Sequence, residues 1–232
     1  MYYYENNPKL VGTKLFDCIP QTGKCPINCN QCFFNHAGFF VDVSVNPHMP
    51  PIESVGEDGI VRVNTGNDSN INREYVIQRT KQYKNKFYNT SIPSFGFDAP
   101  FVFTANRKEE ELPTIVTKAQ PGLMFVRLRV SPTNLDKIDM GVEAWTKLGV
   151  PVVLTFMRYY DENLQLPAGY EWKKHILNSA WCATPDFIDD VMARYSNNRL
   201  VSMCGSKNSS YCKDCLNCET YYHQAVKRMR KE

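Results

Sequence analysis

Eight of the nine cysteines in this 232-residue chain fall in two groups. Cys18, Cys25, Cys29 and Cys32 lie near the start; Cys204, Cys212, Cys215 and Cys218 lie near the end. Cys182 stands apart, as a small buried hydrophobe would. An odd, clustered set argues against a disulfide framework, and thiolates at two- and three-residue spacings point to metal. The run Cys25, Cys29, Cys32 has the spacing C-x3-C-x2-C. Three thiolates so close can wrap one metal centre from a single loop, and Gly23 and Pro26 suit the tight turns this needs. Around a four-iron cluster they leave one iron without a protein ligand, and an open position is what chemistry at a metal requires. A zinc knuckle is the alternative, with Cys18 or His36 as a fourth ligand.

A scaffold must hold that loop. Apolar, β-rich runs at residues 10–16, 59–63, 86–92, 100–104, 123–130 and 151–157 predict six strands. Residues 72–83 and 135–148 carry helical patterns; in the second, Ile138, Val142, Trp145 and Leu148 share a face. Gly149 fits the position after a helix end, just before the Pro151 strand. Strand, helix, short loop, strand is the grammar of a parallel sheet. After Asp161 the pattern predicts a helical tail, with helices over 185–195 and 219–231 flanking the second cysteine group.

The strands are two-faced. Met124, Val126, Leu128 and Val130 alternate with Phe125, Arg127, Arg129 and Ser131, and Val61 and Val63 oppose Arg62 and Asn64. A parallel strand covered by helices on both faces would be apolar throughout. A barrel with helices outside and a polar, ligand-holding lumen accounts for the alternation. Internal salt bridges from these arginines to Asp or Glu are the alternative.

The C-x3-C-x2-C spacing at Cys25, Cys29 and Cys32, directly after a first strand, resembles the signature of the radical SAM superfamily. The resemblance extends over about residues 11–160. It implies an α/β fold: a partial (β/α)6 barrel over residues 1–165, followed by a small helical, cysteine-rich C-terminal extension over 166–232. It also implies a [4Fe–4S] cluster that reductively cleaves S-adenosylmethionine to a 5′-deoxyadenosyl radical, which abstracts hydrogen from a substrate. An electron donor such as flavodoxin or ferredoxin would feed it. The family's aromatic before the third cysteine is Gln31 here; Phe33 and Phe34 follow, making Phe33 the candidate adenine neighbour. Asn64, Thr65, Gly66, Asn67 and Asp68 occupy the place of the family's glycine-containing motif for the SAM amino group, although an ordinary Asn-Gly turn would look the same. Arg129, Ser131 and Asn134 match the polar residues that hold the SAM ribose and carboxylate, and a guanidinium pairs naturally with a carboxylate. Ser131 to Asn134 also reads as the turn opening the next helix.

The second group, C-x7-C-x2-C-x2-C, can close a site completely with Cys204, Cys212, Cys215 and Cys218. Tight C-x2-C-x2-C recurs in ferredoxin-type ligation, which favours a second [4Fe–4S] cluster; structural zinc, more often held by two separated pairs, is the alternative. The net charge of +3 is too small to argue for nucleic acid, and no apolar run approaches the ~20 residues of a membrane span. The N-terminal residues lack a signal-peptide layout, which points to the cytoplasm. The basic run at 227–231 reads as a solvated helix end, the sole support for an RNA substrate. Arg158 and Tyr159 end the sixth strand as candidate substrate contacts or rim residues. The leading expectation is a radical SAM enzyme whose substrate no residue identifies. Its rival is a non-catalytic iron–sulfur or zinc protein for binding or electron transfer, which would have no need of a polar lumen.

Overall fold

The computed structural model describes residues 4–29, 31–35, 40–174 and 179–231. A 3-10 turn, Pro8–Leu10, precedes β1 (Leu15–Cys18), α1 (Ile52–Val55), β2 (Ile60–Val63), α2 (Arg73–Thr80), β3 (Lys86–Thr90) and β4 (Phe101–Thr104). Then follow β5 (Leu123–Val130), α3 (Leu135–Lys147), β6 (Val152–Phe156), β7 (Arg158–Tyr159), β8 (Tyr170–Lys173), β9 (Ala180–Ala183), α4 (Pro185–Ala193), β10 (Val201–Met203) and α5 (Asn217–Met229). Seven strands form one parallel sheet in the order β1-β2-β3-β4-β5-β6-β10, and β7, β9 and β8 form a separate antiparallel sheet. Successive strands of this sheet are spatial neighbours, so each crossover advances by one position. No helix among the described residues is long and apolar enough to cross a membrane.

Five of the six expected strands occur where the apolar runs predict them. The first is displaced: it begins at Leu15, because Asn7 caps the Pro8–Leu10 turn through Lys9 N and Gly12, at φ 81°, breaks the extended run. The helical tail is the larger departure. Besides α4 and α5 it holds β8 and β9, zipped by the Trp172–Trp181 edge contact at 5.7 Å, and β10, which pairs with β6 and completes the sheet. α4 starts where its chemistry dictates, with Thr184 Oγ1 accepting from Phe187 N and Pro185 in the first turn.

Regular βα alternation is also incomplete. The β3–β4 and β4–β5 crossovers carry no helix, being broken by Pro93, Gly96, Pro113, Pro121 and Gly122. Aromatic side chains cover the sheet instead: Phe95 stacks on Phe101 at 4.9 Å and Phe97 on Tyr88 at 4.8 Å.

One face of the sheet meets α2, α3 and α4 around a core that includes Val61, Val63, Val126, Leu128, Val130, Ile138, Val142 and Trp145. Trp145 is fully buried, with its indole N–H on Thr114 O at 3.2 Å; burial of a side chain this size stabilises by on the order of 3 kcal/mol. The other face begins with an apolar layer, Leu15, Ile60, Phe87, Val102, Phe125 and Val153, capped by Tyr222 and Ala225 of α5. Met124 belongs to this second cluster and not, as alternation predicts, to the helix side. A bulge pairs Phe101 with Leu123 and Val102 with Phe125, so Met124 is the extra residue that resets the pleat. Beyond the apolar layer the same face turns polar at Asp17, Arg62, Asn89, Thr104 and Arg127.

Candidate metal centres at the carboxyl edge of the sheet

Both cysteine groups follow the C-terminal ends of parallel strands, the edge where open α/β sheets build their sites. The first lies between β1 and α1. Its loop is tied at the base by a two-bond bridge, Ile19 N to His48 O at 2.6 Å and His48 N to Ile19 O at 2.9 Å, and again by Gly23 N to Val43 O at 2.9 Å. Gly23, Asn28 and Gln31 adopt φ of 81°, 51° and 49°, and these left-handed residues turn the chain around the cysteines. Cys25, Cys29 and Cys32 are half-buried. Burial pushes the Cys25 thiol up to about 11, with Asp68, Cys29 and Cys32 adding to the rise and the Ile27 backbone opposing it. Burial also raises Cys29, opposed by Arg129 and Arg107. The three thiols thus sense one another and face the ends of β2, β4 and β5. Cys18 does not join them: it is fully buried in the helix-side core. His36 lies outside the described residues.

The loop after β2 touches this one. The Phe34 ring lies directly on Gly66, where an added Cβ would sit 2.3 Å from the ring, so only glycine permits the contact. Asn64 is 1% exposed, at φ 59°; its amide N–H donates to Ser69 Oγ at 3.2 Å and its Oδ1 finds no donor among the described residues. Thr65 donates to the Asp17 carboxylate at 2.6 and 2.7 Å. Asn67 Oδ1 accepts from Asp68 N, and the Asp68 carboxylate accepts from Asn70 N, Thr90 Oγ1, Ser91 N and Ser91 Oγ. Asn67 and Asp68 are therefore spent on the loop itself, while Asn64 retains an acceptor. At the end of β5, Arg129 Nη1 donates to Arg107 O at 2.6 Å, and its backbone is clamped by Asn106, which both accepts from Arg129 N and donates to Arg129 O. Asn134 accepts from Ser131 N and donates to Arg129 O, and Ser131 Oγ pairs with Thr133 Oγ1. Ser131 and Asn134 build the turn into α3 and hold Arg129 through its backbone. Phe33 is 41% exposed on the cysteine loop. Tyr159 is buried against Tyr170 at 5.4 Å, a packed rim aromatic.

Asn106 and Arg107 were not anticipated, yet they directly follow a strand predicted to end at Thr104, the position where a parallel sheet places functional groups. Lys9 lacked any such signal, because it acts on Cys204 and Cys212 across about two hundred residues of chain.

That group closes on the polar inner face. Cys204 N bonds Leu154 O at 2.8 Å. Gly205, at φ 75°, would place a Cβ 2.4 Å from Ser209 O, so glycine allows the turn that follows. Asn217 donates to Met203 O at 2.7 Å and accepts from Ser202 Oγ, which seats the start of α5, with Cys218 in its first turn, beside β10. Cys212 and Cys218 are buried within the inner-face cluster, and Cys215 Sγ lies 3.6 Å from Cys212 O. The Cys215 thiol, aided by Arg127, Arg62 and Lys9, holds the Cys204 thiol well below the ordinary range. Cys204 is exposed. Arg62 on β2 and Arg127 on β5 thus both act electrostatically on the cysteines that follow β10. The basic end of α5 is not wholly solvated, since Arg228 donates to Pro121 O at 3.3 Å and Leu123 O at 2.5 Å.

No protein-family model, no curated protein and no solved structure matches this chain. Among the described residues no three Cys, His, Asp or Glu side chains converge to metal-binding distance. The donor chemistry nevertheless fits soft-metal centres: seven thiols in two groups and, on or beside the first loop, buried acceptors at Gln21, Gln31, Asn35 and Asn64 that find no donor among the described residues.

Two buried groups near the first loop oppose each other with pH. Burial pushes the Asp17 carboxyl up to about 6, against Arg62 and the Thr65 and Asn7 hydrogen bonds, and it pushes His48 down to about 4. Folded Asp17 takes a proton below about 6, whereas the unfolded carboxyl does so near 3.8, so acidification through that window stabilises the fold. Folded His48 stays neutral to about 4, whereas the unfolded ring protonates near 6.5, so acidification destabilises. Each contributes about 3 kcal/mol, at about 1.4 kcal/mol for every tenfold change in proton affinity. These two groups therefore leave the melting temperature nearly flat between pH 6.5 and 4. In Asp17→Asn only the His48 slope remains, and melting should fall by roughly 6–12 °C across that window. Thermal melts of metal-free protein check this; identical slopes in both proteins would contradict it.

Proposed function

We propose that this chain is a radical SAM enzyme whose inner sheet face is the concave wall of a partial (β/α)6 barrel. The observation that carries the reading is the three-thiol loop, tied down at the carboxyl edge of a parallel sheet and facing Asn64 and Arg129. Sequential strand order supports the barrel, as does the contact of α5, which follows β10, with the residue ahead of β1 through Lys14 N on Glu219 at 2.7 Å. Cys25, Cys29 and Cys32 would hold a [4Fe–4S] cluster, which when bound with S-adenosylmethionine supplies a 5′-deoxyadenosyl radical for hydrogen abstraction.

The chain's own residues bind and orient. Asn64 Oδ1 accepts from the ligand's ammonium group, supported by its unfilled acceptor. Arg129, held by Asn106 and Asn134, pairs with the carboxylate. Phe34, seated on Gly66, couples the cysteine loop to the amino-group loop, and Phe33, 41% exposed on the cysteine loop, would cover the adenine. Tyr159, Tyr160 and Tyr170 wall one side and exclude water. Cys204, Cys212, Cys215 and Cys218 would hold a second metal centre, iron–sulfur or zinc. A flavodoxin- or ferredoxin-type donor and a cytoplasmic setting belong to the same reading. The polar face of the sheet at Arg62, Asn89 and Arg127 favours an enzyme over an electron carrier.

The test is anaerobic reconstitution with iron and sulfide, reduction, and addition of S-adenosylmethionine. Formation of 5′-deoxyadenosine and methionine is expected. A reduced, iron-loaded protein that leaves S-adenosylmethionine intact would overturn the proposal.

A further inference from the structure

The inner face carries more positive charge than its own carboxylates balance. Arg62 and Arg127 are half-buried in the layer above Ile60, Phe87 and Phe125, and Cys212 and Cys218 pack within that same apolar cluster. The Arg127 guanidinium lies over the Phe125 ring at 5.9 Å and meets only neutral acceptors, Thr104 Oγ1 at 3.3 Å and Asn89 Oδ1 at 3.4 Å. Arg62 Nε has no acceptor among the described residues. Neither arginine forms an ion pair with a carboxylate there. The largest influences on Arg62 include one carboxylate, Asp17, its partner in register on β1; those on Arg127 include none. Lys9, from the turn ahead of β1, adds a third cation that senses Cys204 and Cys212. Like charges gathered in a partly desolvated layer repel, and such a layer persists only when an opposite charge is present.

We propose that Arg62 and Arg127 are the countercharges of a metal centre bound by Cys204, Cys212, Cys215 and Cys218 and carrying a net double negative charge. Four thiolates around a doubly positive core, zinc or an oxidised four-iron cluster, leave two negative charges in either case. The guanidiniums of Arg62 and Arg127 supply opposite charge, with Lys9 and Arg158 adding to it and Asp17, beside Arg62, offsetting part. The proposal rests on the C-terminal half of the functional reading and not on any reaction at Cys25, Cys29 and Cys32. Its consequence depends on the metal. Cations beside a zinc centre slow its loss; beside an iron–sulfur centre they also favour the more negative, reduced state and raise its potential.

The test compares the full chain, purified anaerobically, with Arg62→Met/Arg127→Met and with Arg62→Lys/Arg127→Lys. Metal at this centre is defined as the iron or zinc lost in Cys212→Ser/Cys215→Ser. Transfer to a chelator is followed for each protein, together with circular dichroism and, where iron is present, the midpoint potential. The methionine pair should release this metal 10- to 100-fold faster, with a lower potential for iron. The lysine pair should stay within a few-fold of the wild type, and metal held by Cys25, Cys29 and Cys32 should not change. Equal release from wild type and methionine pair overturns the proposal, as does a Cys212→Ser/Cys215→Ser protein that loses no metal. If the methionine pair fails to fold, Arg127→Met alone must show faster release or the proposal fails. Missing 5′-deoxyadenosine alongside normal behaviour in this assay would remove the radical reading and leave the countercharges standing.

Discussion

Replacing Cys25, Cys29 and Cys32 together with Ala should abolish 5′-deoxyadenosine formation and remove about four irons per chain. The effect is total because the three thiols are the whole protein ligand set proposed for that cluster, and no other described thiol can substitute. Cys18, the nearest in sequence, is locked in the core behind β1. The fold should survive. All three cysteines are half-buried and lie in neither hydrophobic cluster, and the loop is tied by backbone bonds at Ile19, His48, Gly23 and Val43 that alanine leaves intact. The expected melting shift is therefore within a few degrees, while metal at the C-terminal cysteines is unchanged. Iron, sulfide and zinc analysis with chromatographic detection of 5′-deoxyadenosine provides the check. Product formation at more than about 1% of the wild-type level would refute the ligand assignment.

Asp68→Ala should be the most damaging single change at the site. The carboxylate is 5% exposed and accepts four hydrogen bonds, from Asn70 N at 2.9 Å, Thr90 Oγ1 at 2.8 Å, Ser91 N at 2.6 Å and Ser91 Oγ at 2.9 Å. It stitches the loop after β2 to the end of β3. Alanine leaves those donors unsatisfied in a buried setting, and each hydrogen bond to a charged group contributes about 1.5–3 kcal/mol without full additivity. A loss of about 3–5 kcal/mol follows, or roughly 6–20 °C in melting temperature. Asp68→Asn keeps the shape and half the acceptors and should lose less. Because Asn64 and Gly66 ride on the same loop, S-adenosylmethionine binding should weaken in both variants even where they remain folded. Urea unfolding and equilibrium binding measure the two effects; a loss below about 1 kcal/mol for Asp68→Ala would mean that the network does not hold the loop.

Much of the scaffold was legible in the amino-acid order. The strands at 59–63, 86–92, 100–104, 123–130 and 151–157 and the Leu135–Lys147 helix are strong local patterns, and the apolar face of Ile138, Val142 and Trp145 packs as its spacing predicts. What escaped the sequence was non-local. β10 is three residues long and exists only because β6 offers a free edge; β8 and β9 exist only as partners of each other and of β7. Met124 changed faces because a bulge is set by the partner strand and not by the residue itself. The helix-free crossovers were hidden because aromatic loop residues cover a sheet as well as a helix does.

The site divides the same way. Residue type and spacing, local properties of the chain, single out the seven cysteines and the thiolate chemistry that they imply. Tertiary structure decided their surroundings. It put Cys18 out of reach, set Phe34 on Gly66, spent Asp68 and Asn134 on loop architecture and left Asn64 Oδ1 open. It also carried the C-terminal cysteines onto the inner face beside Arg62 and Arg127. Charge partners far apart in sequence meet through the path of the chain in space, which local patterns do not encode.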